Sequence, residues 1–122
     1  MRHIEDNLQK SCVQWFSLQY REYAKLLHHS PNGGKRNAVE AAKFKAMGVR
    51  AGFPDLILCV ARQGYHGLFI ELKTAKGRQS ENQKYYEYGL EEQGYRYEVV
   101  RSIEDFQTTI KDYFRDDMED IG

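Results

Sequence analysis

A chain of 122 residues with a 41% hydrophobic fraction is sized for one domain around one core. Its longest apolar runs fall far short of the ~20 residues a membrane helix needs, which excludes a helical membrane protein. The 18 basic and 18 acidic side chains cancel, but residues 35–78 hold nine basic against three acidic groups and residues 103–122 two against seven. Local rather than total charge governs attraction to phosphate, so a nucleic-acid partner stays in play.

Taken in chain order, Ile4, Leu8, Cys12, Trp15, Phe16, Tyr20, Tyr23 and Leu27 recur at helical spacing, which predicts one long amphipathic helix over about 3–27. Its start, Met1–Asp6, is not an apolar signal segment, so a cytoplasmic protein is expected. The His28-His29 pair is expected in a solvated loop, and Ser30 to Arg36 carries strong turn signals. Asn37 caps a second helix that runs to about Met47 and stops at Gly48. Apolar strands follow over about 55–60 and 68–73, joined by the polar turn Arg62–Gly67. A basic loop, Thr74–Gln79, leads to a third helix opened by Ser80 and closed by Gly94. Tyr95–Val100 reads as a third strand, and Ser102 opens a last helix to about Phe114. The third strand follows a crossover helix, so it should lie parallel to the second. The expectation is a single α/β domain over 1–122, a small mixed sheet flanked by helices in the order α-α-β-β-α-β-α, with the acidic end frayed from about Asp116. Cys12 and Cys59 have no metal or redox spacing and are expected as reduced core residues.

The chemistry concentrates at the ends of two strands. Pro54-Asp55 runs into the first, and Glu71-Leu72-Lys73 ends the second. Alternation puts Glu71 and Lys73 on one face, and a hairpin centred near Gly64 sets Asp55 opposite Lys73 with Glu71 diagonal to it. A register slip of two keeps Asp55 on that face, whereas a slip of one turns it away. Asp55 and Glu71 can offer anionic oxygens to Mg²⁺ or Mn²⁺, the Leu72 carbonyl a neutral one, and Lys73 an ammonium beside them. Such a site suits phosphodiester hydrolysis. Alone, Glu-x-Lys is also a common solvated strand edge; the whole Pro-Asp, strand, turn, strand, Glu-x-Lys arrangement is the specific signal.

These stretches, with Ile4–Gln9, Pro31–Arg36, Gly48–Leu56, Gly67–Lys73, Gln83 and Tyr97–Ser102, resemble the VRR-NUC family of the PD-(D/E)xK nucleases, especially compact stand-alone members of the type carried by bacteriophages. The resemblance implies a restriction-endonuclease-like core, metal-dependent DNA cleavage by Asp55, Glu71 and Lys73, and a homodimer acting on branched DNA such as four-way junctions. A phage-encoded member would work in the host cytoplasm. The resemblance also implies that Glu5 is an additional acidic residue near the metal and that Gln83 belongs to the catalytic set. Both have structural alternatives: Glu5 as a first-turn acid favoured by the helix dipole, Gln83 as the partner of Ser80 in a capping box. Asn32, Gly33, Lys35 and Arg36 can present amides and cations to a phosphate, Ser30 can line the site, and Lys76 and Arg78 can follow the neighbouring backbone. The signature Val-Arg-Arg is here Val100-Arg101-Ser102, so no second arginine acts there. A nonspecific nickase, a flap endonuclease and a non-catalytic DNA-binding module with this fold are the alternatives.

Overall fold

The computed structural model describes residues 2–30 and 37–119. Helix α1 (Arg2–Gln19) is shorter than its apolar periodicity suggests. Past Gln19 the chain tightens into a 3₁₀ segment, Arg21–Leu26, and then extends as strand β1 (Leu27–His29). The periodicity continued because Tyr20 and Tyr23 still face the core, where both rings stack on Phe114 at centroid distances of 4.9 and 5.4 Å. The His28-His29 pair is therefore strand, not loop.

Helix α2 (Ala38–Ala46) begins where expected: the Asn37 side chain accepts the Glu40 amide at 2.8 Å. It ends before Gly48, whose φ of +107° is backbone that favours glycine. Strands β2 (Leu56–Leu58) and β3 (Leu68–Leu72) form the antiparallel hairpin. Helix α3 (Glu81–Glu92) opens on a complete capping box between Ser80 and Gln83, and β4 (Arg96–Val100) returns parallel to β3. Helix α4 (Ile103–Tyr113) is capped by Ser102, whose hydroxyl accepts the Asp105 amide at 3.1 Å.

The four strands lie in the order β1-β2-β3-β4, antiparallel except for the β3–β4 pair. This mixed sheet flanked by helices is the restriction-endonuclease-like architecture, with β1 added at one edge. The expected hairpin register is off by two. Leu56 pairs with Ile70 and Leu58 with Leu68, while the turn closes at Arg62 and Tyr65. The turn pair lies one step from the expected centre, and between ladder and turn the β2 side carries three residues, Cys59–Ala61, against His66 and Gly67, which adds the second step.

One sheet face buries Leu56, Leu58, Leu68, Ile70, Leu72 and Val100 under Cys12 and Phe16 of α1 and Phe106 and Ile110 of α4. The other face carries Phe69, Glu71 and Tyr97. Over it Phe53 and Tyr86 of α3 pack edge to face, as Phe69 and Tyr95 do. Arg96 ties β4 to α4 through Asp112 at 2.8 Å. The start of the acidic end is described. Arg115–Glu119 forms a helical turn, α5, and Asp117 takes both Arg62 Nε and Nη2, at 2.8 and 3.0 Å. Cys12 is buried, as expected, but Cys59 is exposed; both are free thiols. Among the described residues no helix is long and apolar enough to cross a membrane.

Candidate active site

The site is built where β2 begins and β3 ends. Asp55 immediately precedes β2, and continuing the observed ladder sets it across from Glu71 rather than Lys73. The slip of two preserved parity, so both carboxylates stay on the α3 side of the sheet. Three contacts hold Asp55. Its carbonyl accepts the Ser30 amide at 3.0 Å and meets His29 Nδ1 at 2.9 Å, and its Oδ2 accepts the Leu72 amide at 2.7 Å. Leu72 thus contributes its N–H to the arrangement, holding the first carboxylate beside the second.

Glu71 is the buried charged residue among the described residues, at 1% exposure. Its two oxygens have different surroundings. Oε1 accepts the Tyr97 hydroxyl and lies 3.5 Å from Gln79 Nε2, which also donates to Glu87 Oε1 at 3.1 Å. Among the described residues Oε2 is buried without a hydrogen-bond partner, and Lys73 Nζ stands 4.0 Å from it. A buried carboxylate oxygen left in that state is costly, and an unmet donor or cation is the usual reason.

Electrostatics agree with the geometry. Burial pushes the Asp55 carboxyl above its ordinary range, and the charges of Glu71 and Glu5 add to this; the Leu72 amide and His29 pull the other way. Burial and the bond to Glu71 push the Tyr97 phenol up, so Tyr97 is a donor that keeps its proton. Glu5 is close enough for its charge to reach Asp55, but among the described residues no three His, Cys, Asp or Glu side chains gather closely enough to hold an ion. The available set is two carboxylates and water. That suits Mg²⁺ or Mn²⁺, hard cations that keep several waters, and it does not suit zinc. The unpartnered Oε2 and the crowding of anions at Asp55 are what a divalent cation would relieve.

The remaining expected residues are spread around this centre. Gln83 is occupied in the capping box: its Oε1 accepts the Ser80 backbone amide at 2.8 Å while its backbone N–H donates to Ser80 Oγ at 3.1 Å. Gln79, four residues earlier, is the glutamine that reaches Glu71. Ser30 is joined to Asp55 through the backbone, and Lys76 and Arg78 are exposed on the loop after Lys73. Asn32, Gly33, Lys35 and Arg36 lie outside the described residues. Arg101 clasps the basic loop from below, its Nη1 donating to the carbonyls of Thr74 and Gly77 at 2.8 and 2.7 Å.

Three participants escaped the sequence reading: His29, Gln79 and Tyr97. His29 sits on a three-residue strand too short for any periodicity. Tyr97 was within reach, because a parallel β3–β4 pair with Phe69 beside Tyr97 turns its ring toward Glu71. Only the register was missing.

Across residues 1–104 the chain matches the model of the VRR-NUC domain. It belongs to the VRR-NUC family. A solved structure described as a VRR_NUC domain protein is similar to this VRR-NUC chain at 36% identity and a TM-score of 0.80, covering 91% of this chain and 88% of that one. A comparison with curated proteins finds no match. VRR-NUC domains are nuclease domains of the PD-(D/E)xK superfamily, and the Pro54-Asp55 and Glu71-Leu72-Lys73 signatures fall inside the matched residues.

Proposed function

We propose that this VRR-NUC domain is a Mg²⁺- or Mn²⁺-dependent cytoplasmic endodeoxyribonuclease that acts as a homodimer on branched DNA such as four-way junctions. One observation carries the catalytic part: two carboxylates from neighbouring strands converge beside Lys73, and Glu71 Oε2 is buried with no hydrogen-bond partner among the described residues.

In this reading Asp55 and Glu71 hold the divalent ion. When bound, the ion would stabilise charge on the phosphate as a Lewis acid and lower the pKa of a water, so that it can lose a proton and act as the nucleophile. The chain does the positioning. The Leu72 amide pins Asp55 Oδ2, the Ser30 amide pins the Asp55 backbone, and Lys73 offsets charge that builds on the phosphate during attack. Glu5 adds negative field at Asp55 and so favours a cation. Lys76, Arg78, Lys35 and Arg36 supply cations for the DNA backbone without reading bases. Choice of substrate then rests on DNA shape. One such site cuts one strand, so paired cuts across a junction call for two copies.

The test is cleavage of matched linear, nicked, flap and four-way DNA with Mg²⁺, Mn²⁺ or EDTA. Asp55→Ala and Lys73→Ala, each shown to be folded, should lose about a hundredfold or more in rate. Activity in EDTA, or survival of either substitution, overturns the mechanism. Equal rates on linear and four-way DNA overturn the substrate class. A monomer by sedimentation that still makes paired symmetric cuts overturns the dimer.

A further inference from the structure

The two oxygens of Glu71 are not equivalent, and the difference comes from one residue of β4. Parallel pairing sets Phe69 beside Tyr97 and Glu71 beside Val99, so the Tyr97 ring lies on the Glu71 face two positions back, with its hydroxyl reaching forward. Tyr97 is 4% exposed and Glu71 is 1% exposed. Water therefore cannot take over this contact. The second neighbour, Gln79 Nε2, lies on the same oxygen at 3.5 Å and is braced by Glu87. Both donors converge on Oε1. Oε2 has no hydrogen-bond partner among the described residues, and Lys73 Nζ lies 4.0 Å from it.

A carboxylate with both oxygens open can rotate and can bind a cation through either or both. One whose Oε1 is already engaged by a rigid phenol has its plane set and one oxygen left to give. We propose that Tyr97, seconded by Gln79, is a positioning residue that locks Glu71 so that Oε2 is its only ligating oxygen for the divalent ion. The inference rests on the metal-dependent reading above and extends it from the residues that touch the ion to the residue that aims one of them. Tyr97 acts through Glu71 and has no contact with the ion in this scheme.

The experiment is Mn²⁺ affinity of the full chain without DNA, followed by the electron paramagnetic resonance of free Mn²⁺. Tyr97→Phe removes one hydroxyl and keeps the ring in the core, and circular dichroism checks the fold. Tyr95→Phe is the control, since Tyr95 packs on Phe69 at 5.1 Å and makes no bond to Glu71. The expected result is a fall in Mn²⁺ affinity of roughly tenfold for Tyr97→Phe, the lower end of what removing a ligand's hydrogen-bond partner does, with Tyr95→Phe unchanged. In cleavage assays the Mn²⁺ concentration at half-maximal rate should rise by the same factor while the rate at saturating Mn²⁺ largely recovers. A merely structural role would lower the saturating rate instead. Gln79→Ala, which removes the longer contact, should weaken Mn²⁺ by less than the roughly tenfold of Tyr97→Phe and decides the matter if Tyr97→Phe does not fold. Unchanged affinity in a folded Tyr97→Phe overturns the inference. If Asp55→Ala also binds Mn²⁺ as tightly as the parent chain, the metal site itself is wrong; if only Tyr97→Phe is silent, the metal site stands and the positioning role falls.

Discussion

Asp55 is destabilised where it stands, and this has a measurable sign. Burial and the neighbouring acids hold its folded pKa above the ordinary 3.8. The folded chain therefore keeps that proton to higher pH than the unfolded chain does. Stability falls as pH rises from about 3.8 through the raised value, and it stays lowered at neutral pH. Asn in its place still accepts the Leu72 amide but carries no charge. In metal-free buffer at pH 7, Asp55→Asn should raise Tm by roughly 4 °C, and the gain should vanish as the pH is taken down through that window. Differential scanning fluorimetry with EDTA reads this directly; a lower Tm for the variant would refute it. Gln83 poses a second question at this scale. The structure gives it a cap, with both hydrogen bonds of the box to Ser80 made. Ser80→Ala and Gln83→Ala should each cost about 1 kcal/mol in urea unfolding, with equal cleavage per folded molecule. A tenfold deficit confined to Gln83→Ala would return it to the catalytic set.

Elements were legible where a local signal and a tertiary role coincide. Asn37, Ser80 and Ser102 each show a capping residue before an amphipathic run, and all three helices start there. The parallel β3–β4 pair followed from the crossover rule. What failed had no local chemistry to announce it: the end of α1 at Gln19, because Tyr20 and Tyr23 continue its apolar rhythm in another conformation, and β1, which exists only because β2 offers an edge. The offset in the hairpin belongs with these, since no residue type marks the extra position. One contact that joins elements at the site was equally silent. Gly52 has φ +82°, and a Cβ there would lie 2.6 Å from the Asn82 Cβ and 3.0 Å from the Gln83 amide nitrogen. The turn before Asp55 can therefore rest on the start of α3 only without a side chain. Gly64, φ +84°, has nothing within 4 Å of such a Cβ. Gly64→Ala should cost about 1 kcal/mol from backbone alone, and Gly52→Ala clearly more, about 2–4 kcal/mol, through backbone and overlap together. Denaturant midpoints of the two variants test the order, and equal costs would mean that the Gly52 approach is not tight.

For the molecule as a whole, the cancelling charges are separated in space. Asp55, Glu71 and Lys73 sit at one end of the β2–β3 hairpin, whereas Asp117 is held to Arg62 at the turn end, so α5 is anchored away from the site. Seven residues of extended chain from Asp55 to Arg62 correspond to roughly 20 Å, about two screening lengths at physiological salt. Charge on α5 should therefore matter little to DNA bound at Asp55, and the basic loop after Lys73 should matter a good deal. That loop is shaped by Arg101, which binds its carbonyls, so Lys76 and Arg78 are presented together. With Asp55→Asn as a non-cleaving background, the salt dependence of DNA affinity measures how many cations meet phosphate. Removing both Lys76 and Arg78 should flatten the slope of log K against log salt by about 1.8, near 0.9 for each phosphate that goes unneutralised. Asp116→Asn, on exposed α5, should leave both slope and affinity as they were. If neutralising Asp116 tightened DNA binding as much as removing the two cations weakened it, the acidic end would have to lie beside the DNA path, and the separation argued from Arg62 and Asp117 would be wrong.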